Sequence, residues 1–140
     1  VNRPKEFRMW SPQTEQDQQL DFALAVLAIR LGLIRHAGTL EEIYTPSGPM
    51  FRQTGKDLTQ VGRMLLTGGA LIHAEDADGI AQQAVRTVDP HALVPRHFNT
   101  VRDKRYILSA MGLLAGHDED AALEILLQHF GKEETHGAAK

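Results

Sequence analysis

The chain has 140 residues, of which 42% are hydrophobic and 24% charged, with no cysteine and a formal charge of -3. That is enough to bury a core in one globular domain without disulfides, and the missing cysteines also remove thiol catalysis and zinc–thiolate sites. The acidic balance argues against a dedicated nucleic-acid binder. No apolar run reaches membrane-spanning length, since Phe22 to Leu33 is short and interrupted by Arg30.

The first residues, with Arg3, Lys5, Glu6 and Arg8, lead into no apolar core of the kind a signal peptide needs, so a cytoplasmic location is expected. The chain opens on Val1 rather than methionine, as an excised or processed piece of something longer would. Residues 1–13 carry Pro4 and Pro12, show no period, and read as a polar arm in which Trp10 anchors the arm to the body. A single α/β domain is expected over 14–131, followed by a frayed tail over 132–140.

Helical periodicity starts at Thr14, where Thr14 or Asp17 caps the first amides and Glu15 and Asp17 suit the positive end of the dipole. Leu20, Leu24, Leu27, Leu31 and Ile34 form one apolar stripe, and Phe22, Val26, Ile29 and Leu33 a second. Two stripes predict a helix buried on two faces, with Arg35 and His36 at its negative end and Gly38 as its C-cap. Leu40–Thr45 and Met50–Thr54, two β-prone runs around Pro46-Ser47-Gly48-Pro49, predict a hairpin. A loop over 55–59 leads to a third strand, Val61 to Leu66, whose apolar run Met64-Leu65-Leu66 predicts an interior position covered on both faces.

That strand ends in Thr67-Gly68-Gly69-Ala70. A glycine pair after a strand either turns the chain tightly or lets backbone approach a ligand, and spacing alone does not decide between them. Asp76 or Asp78 then caps a helix through Ile80, Ala81, Ala84 and Val85. Thr87 to Thr100, with Pro90 and Pro95, reads as a long loop with a short strand at Ala92 to Val94. Asp103 caps a helix through Tyr106, Ile107, Ala110, Met111, Leu113 and Leu114, closed by Gly116, and a last helix runs to Phe130 and stops at Gly131.

Self-contained chemistry is thin. The seven histidines include no pair four apart on a helical face, so no metal is expected to be bound by this chain alone. The acids Glu41, Glu42, Asp118, Glu119 and Asp120 read as solvated charge at strand edges and helix starts. No nucleophile elbow or phosphate-cradling Gly-Lys-Ser/Thr loop occurs. Arg96, His97, Arg102, Lys104 and Arg105, near Phe98 and Tyr106, form a basic cluster that reads as a solvated face or as a contact for phosphate or an acidic partner.

Several blocks together carry a family likeness. They are Arg35-His36-Ala37-Gly38 with Leu40-Glu41-Glu42, Tyr44-Thr45-Pro46 with Gly48-Pro49, and Gly55-Lys56-Asp57-Leu58-Thr59. To these are added Thr67-Gly68-Gly69-Ala70-Leu71-Ile72-His73, Leu93-Val94-Pro95-Arg96, and Asp103 through Leu114. In this order they resemble the C-terminal end of the glutamate mutase L-type proteins, written GlmL or MutL, from about Leu20 to Phe130. The resemblance implies the C-terminal lobe of an actin-like ATPase, with a short mixed sheet (the hairpin plus the interior strand) and about four helices.

It implies further that Thr67, Gly68, Gly69 and Ala70 form the adenosine motif. Tyr106 would start the helix beside it, and Gly112 would permit close approach. ATP or ADP is the implied cofactor, bound only together with a complementary N-terminal lobe. The implied partner is an adenosylcobalamin-dependent mutase, which the family is thought to reactivate, and the missing lobe or a second copy completes the assembly. The superfamily's Asp-x-Gly-x-Thr phosphate segment occurs nowhere in these residues, so the chain alone is expected not to hydrolyse ATP. A free-standing interaction module of the same fold, without nucleotide binding, is the alternative.

Overall fold

The computed structural model describes residues 14–131, so the expected polar arm, Trp10 and the tail over 132–140 lie outside the described residues. Helix α1 (Glu15–His36) begins at Thr14, which closes a capping box. The Asp17 amide donates to the Thr14 hydroxyl and the Thr14 amide to the Asp17 carboxylate, each at 3.2 Å. The helix ends not at Gly38 but at Ala37, in extended conformation, whose amide still donates to Leu33.

Gly38 is glycine for another reason. Its amide donates to the Lys56 carbonyl, its carbonyl accepts from Leu93, and a Cβ there would run into the backbone of Thr54, Gly55 and Lys56. Three stretches of main chain meet at that point.

Strands β1 (Thr39–Thr45) and β2 (Gly48–Thr54) form the expected hairpin, Thr45 opposite Gly48 and Glu41 opposite Arg52, the latter two joined by an ion pair of 2.7 Å. The segment expected as a strand at Ala92 to Val94 makes a single bridge, Ala92 to Thr39, and its neighbours stitch the hairpin base to the body through Leu40 to His91 and Leu93 to Gly38.

Strand β3 (Arg63–Leu66) does not join the hairpin. It pairs in parallel with β4 (Asn99–Arg102), which begins in the last two residues of the stretch expected to be loop, so the expected single mixed sheet is two separate two-stranded sheets. Nor is β3 covered on both faces: Leu66 is buried, Met64 half-buried and Leu65 exposed. Between the two strands run the one-turn helix α2 (Gly69–Ile72), which starts directly on the glycine pair, and α3 (Ala77–Arg86), capped by Asp76 through the Gly79 amide. Helices α4 (Ile107–Leu114) and α5 (Glu119–Gly131) follow and pack on each other. The class is therefore mixed α/β, with five helices among the described residues.

The core lies between α1, α3, β3 and the segment 88–94. Val85, Val88, Ala92 and Val94 form one buried group and Leu66, Ala77 and Ala81 another, with Met64 and Phe98 touching both. Thr87 ties α1 to the end of α3 by accepting from the Arg30 guanidinium at 2.9 Å. The inner face of α1 places Ala25 in the interior and Leu33 against the core. The outer stripe of Leu24, Leu27, Leu31 and Ile34 is exposed, so α1 is covered on one face rather than two. Among the described residues no helix is long and apolar enough to cross a membrane.

Candidate functional site at the ends of the parallel strands

Parallel strands end on the same side, and β3 and β4 deliver Thr67 and Asp103 to adjacent positions. The Asp103 amide donates to the Leu66 carbonyl at 2.8 Å, continuing the ladder one step beyond the paired residues. The carboxyl ends of parallel strands are where α/β folds receive ligands, because the chain leaves there in loops with free backbone groups.

Asp103 is fully buried and serves the architecture. One carboxylate oxygen accepts the Ile107 amide at 2.9 Å and the other the Leu108 amide at 3.0 Å. The expectation that Asp103 caps α4 is met, from a position four residues ahead of the first helical one. The Thr67 hydroxyl reaches the same carboxylate at 3.5 Å, a long contact that links the glycine loop to the cap.

The turn between Asp103 and α4 puts Tyr106 at φ 54°, the one non-glycine residue with positive φ among those described. A bulky side chain in the left-handed region costs roughly 1–2 kcal/mol and is held only where surrounding structure fixes it. Here it aims the phenol across the loop, where the hydroxyl meets the His73 ring nitrogen at 3.3 Å. The same hydroxyl would lie 3.7 Å from a Cβ placed on Gly69.

Thr67, Gly68, Gly69, Ala70 and Tyr106 are thus brought together in one exposed patch. Gly112 lies further along α4, and among the described residues a Cβ placed there would meet nothing within 4 Å. Gly68 has φ 93° and ψ 145°, a conformation closed to L side chains, while Gly69 has no such requirement and opens α2.

The basic cluster read from the sequence is divided by β4. Arg102, Lys104 and Arg105 sit at the glycine-loop end, where Arg102 donates to the Ala74 carbonyl at 3.1 Å. Arg96 and His97 sit at the other end and line a cleft of about 480 Å³ with Gln82, Arg86 and Asn99. Sequence reasoning missed this cleft because β4 is polar, reading Asn-Thr-Val-Arg, and gave no strand signal. Among the described residues no three His, Asp or Glu side chains are grouped to hold a metal ion. Asp57 lies in the local turn of the Gly55–Thr59 block. Hydrogen bonds from the Thr59 hydroxyl at 2.6 Å and the Thr59 amide at 2.9 Å hold its carboxyl below the usual carboxylate range.

Comparison with known proteins adds the family. The family described as MutL protein matches residues 1–130. Protein MutL of Clostridium tetanomorphum is 38% identical over 122 residues, which is 86% of this chain and 26% of that protein. The chain therefore spans about a quarter of the length of that curated relative. No solved structure matches. By its motif blocks and by these two matches, the chain belongs to the MutL family.

Proposed function

We propose that this chain is the C-terminal lobe of a larger, actin-like ATPase of the MutL family, and that it supplies the adenosine side of a nucleotide site. Thr67, Gly68, Gly69 and Ala70 would face the nucleoside, with Tyr106 beside them; the groups that hold the phosphates belong to another part of the larger protein. The bound nucleotide would supply the phosphoryl chemistry, and the whole would maintain an adenosylcobalamin-dependent mutase.

The observation that carries this reading is the contrast within the glycine pair. Folding requires glycine at 68, where φ is positive. At Gly69 there is room for a Cβ and the backbone is helical, so nothing inside the described chain demands a glycine. A ligand drawn close to the main chain would demand one. The exposed outer stripe of α1 supports the second half of the reading, because an apolar face of that extent suits another part of the same protein.

Titration calorimetry with ATP and ADP tests the proposal. The 140-residue chain is expected to give no binding heat, and the larger protein to bind both nucleotides. Gly69→Val should abolish binding in the larger protein without altering the fold of this chain. Absence of nucleotide binding in the larger protein would sink the nucleotide role. The mutase role has a separate check, co-purification of the larger protein with an adenosylcobalamin-dependent mutase, and failure to associate would refute it.

A further inference from the structure

The cleft at the amino ends of β3 and β4 lies away from the glycine loop and is lined by a different set of side chains. Its volume of about 480 Å³ falls within the range of small-molecule sites. Val85, itself buried, and half-buried Phe98 give it apolar walls. Around them stand Gln82, Arg86, Arg96, His97 and Asn99, and no carboxylate lines it.

The donors in this ring are largely unspent. One terminal nitrogen of Arg96 donates to the carbonyls of Pro90 and Ala92 at 2.7 and 2.9 Å, which fixes the plane of the guanidinium. Its other two nitrogens have no partner among the described residues. Arg86 makes a single long contact, 3.5 Å to the side-chain oxygen of Gln82, and so leaves most of its fork free. The side chains of His97 and Asn99 make no hydrogen bond among the described residues. An arginine in the last turn of α3 does favour the helix dipole, but that accounts for Arg86 alone and not for the second guanidinium that lines the cleft. Two guanidinium groups beside the apolar side chains, with no carboxylate among the described lining residues, give the cleft a positive potential.

We propose that this cleft binds a small organic anion, with a phosphate or carboxylate head on an apolar body. Arg86 and Arg96 hold the head, Gln82 and Asn99 supply further donors, and the body lies against Val85 and Phe98. Planar guanidinium forks match both oxyanions, so the head is defined by its charge and its paired oxygens.

The test is a titration of the isotopically labelled 140-residue chain followed by its amide resonances, with phenyl phosphate, benzoate, inorganic phosphate and neutral benzyl alcohol as separate arms. Both aromatic anions are expected to shift Gly62, Phe98 and Asn99 saturably, inorganic phosphate to do so more weakly, and benzyl alcohol not at all. The stronger of the two aromatic arms identifies the head as phosphate or carboxylate. Arg86→Gln should weaken binding about tenfold, the loss of one charge-assisted contact, and added salt should weaken it further. Asn99→Ala, at an exposed side chain that makes no hydrogen bond among the described residues, removes one of the proposed donors and provides a second variant expected to weaken binding in the same direction. Shifts confined to the glycine loop, no shift with either aromatic anion, or unchanged affinity in both variants would overturn the proposal. None of these outcomes depends on nucleotide binding.

Discussion

At Gly68 the backbone has φ 93° and ψ 145°, where a Cβ meets nothing within 4 Å but the main chain itself resists any L side chain. Gly68→Ala is therefore expected to destabilise the chain by about 1–3 kcal/mol through backbone strain alone. Its neighbour behaves differently. A Cβ on Gly69 makes an ordinary contact at 3.7 Å with the Tyr106 hydroxyl, and Gly69→Ala should leave stability within about 0.5 kcal/mol of the parent. Urea denaturation of the two variants side by side checks the contrast, and equal losses would refute it. Asp57 offers a pH readout at the same scale. Its carboxyl is held below the ordinary value by the Thr59 hydroxyl and amide. A group whose folded pKa is depressed adds stability that is present above the unfolded value and is lost as pH falls through the folded one. Thr59→Val removes the hydroxyl but keeps the amide, so the Asp57 carboxyl should titrate higher in that variant, moving toward the ordinary aspartate value without reaching it. Carboxyl resonances followed below neutral pH would show this, and an unmoved titration would contradict it.

Helix α4 depends on a residue outside it. Asp103 gives both carboxylate oxygens to the Ile107 and Leu108 amides, and it is fully buried, so its loss strands two donors away from water. Asp103→Ala is expected to cost about 2–4 kcal/mol, a cap plus an unsatisfied buried group, and Asp103→Asn distinctly less because one acceptor oxygen remains. Thermal and urea unfolding, with helix content by circular dichroism, read both. This cap was legible in the sequence, as were a cap at Thr14 or Asp17, the hairpin turn and a cap at Asp76 or Asp78, because each rests on residues within a few positions of the groups they serve. What was not legible depends on partners far along the chain. Asn99–Arg102 becomes a strand through pairing with β3, not through its own pattern. Gly38 reads locally as a helix cap, yet it is glycine because the main chain of Thr54 to Lys56, leaving the second hairpin strand at the hairpin's base, presses on it. Of the candidate site, the glycine loop and Tyr106 were found by likeness to a family, whereas the cleft required three separate segments to be assembled in space.

Taken whole, the molecule carries more apolar surface than its own core uses. Leu24, Leu27, Leu31 and Ile34 on α1 are each 40–46% exposed, and Tyr44 and Phe51 stand out from the hairpin at 82% and 69%. The α1 residues recur every three to four positions, the spacing by which one helix seats another. Replacing Leu24 and Leu31 together by Gln should change stability by no more than about 1 kcal/mol, since neither is interior, while Val94→Ala, at a fully buried position, should cost about 2–3 kcal/mol. Fluorescence of a hydrophobic dye should fall in the double variant, and assembly with the remainder of the larger protein should weaken with it; unchanged assembly would remove α1 from that contact. The pair β3–β4 has a related consequence. Among the described residues each strand is bonded on one side only, so the ladder has two unfilled edges, and backbone amides along an edge are a template for another strand. The glycine loop leaves from the ends of these strands and not from their edges. A strand added at either edge, from the same protein or from another, would extend the ladder without displacing Thr67, Asp103 or the patch between them.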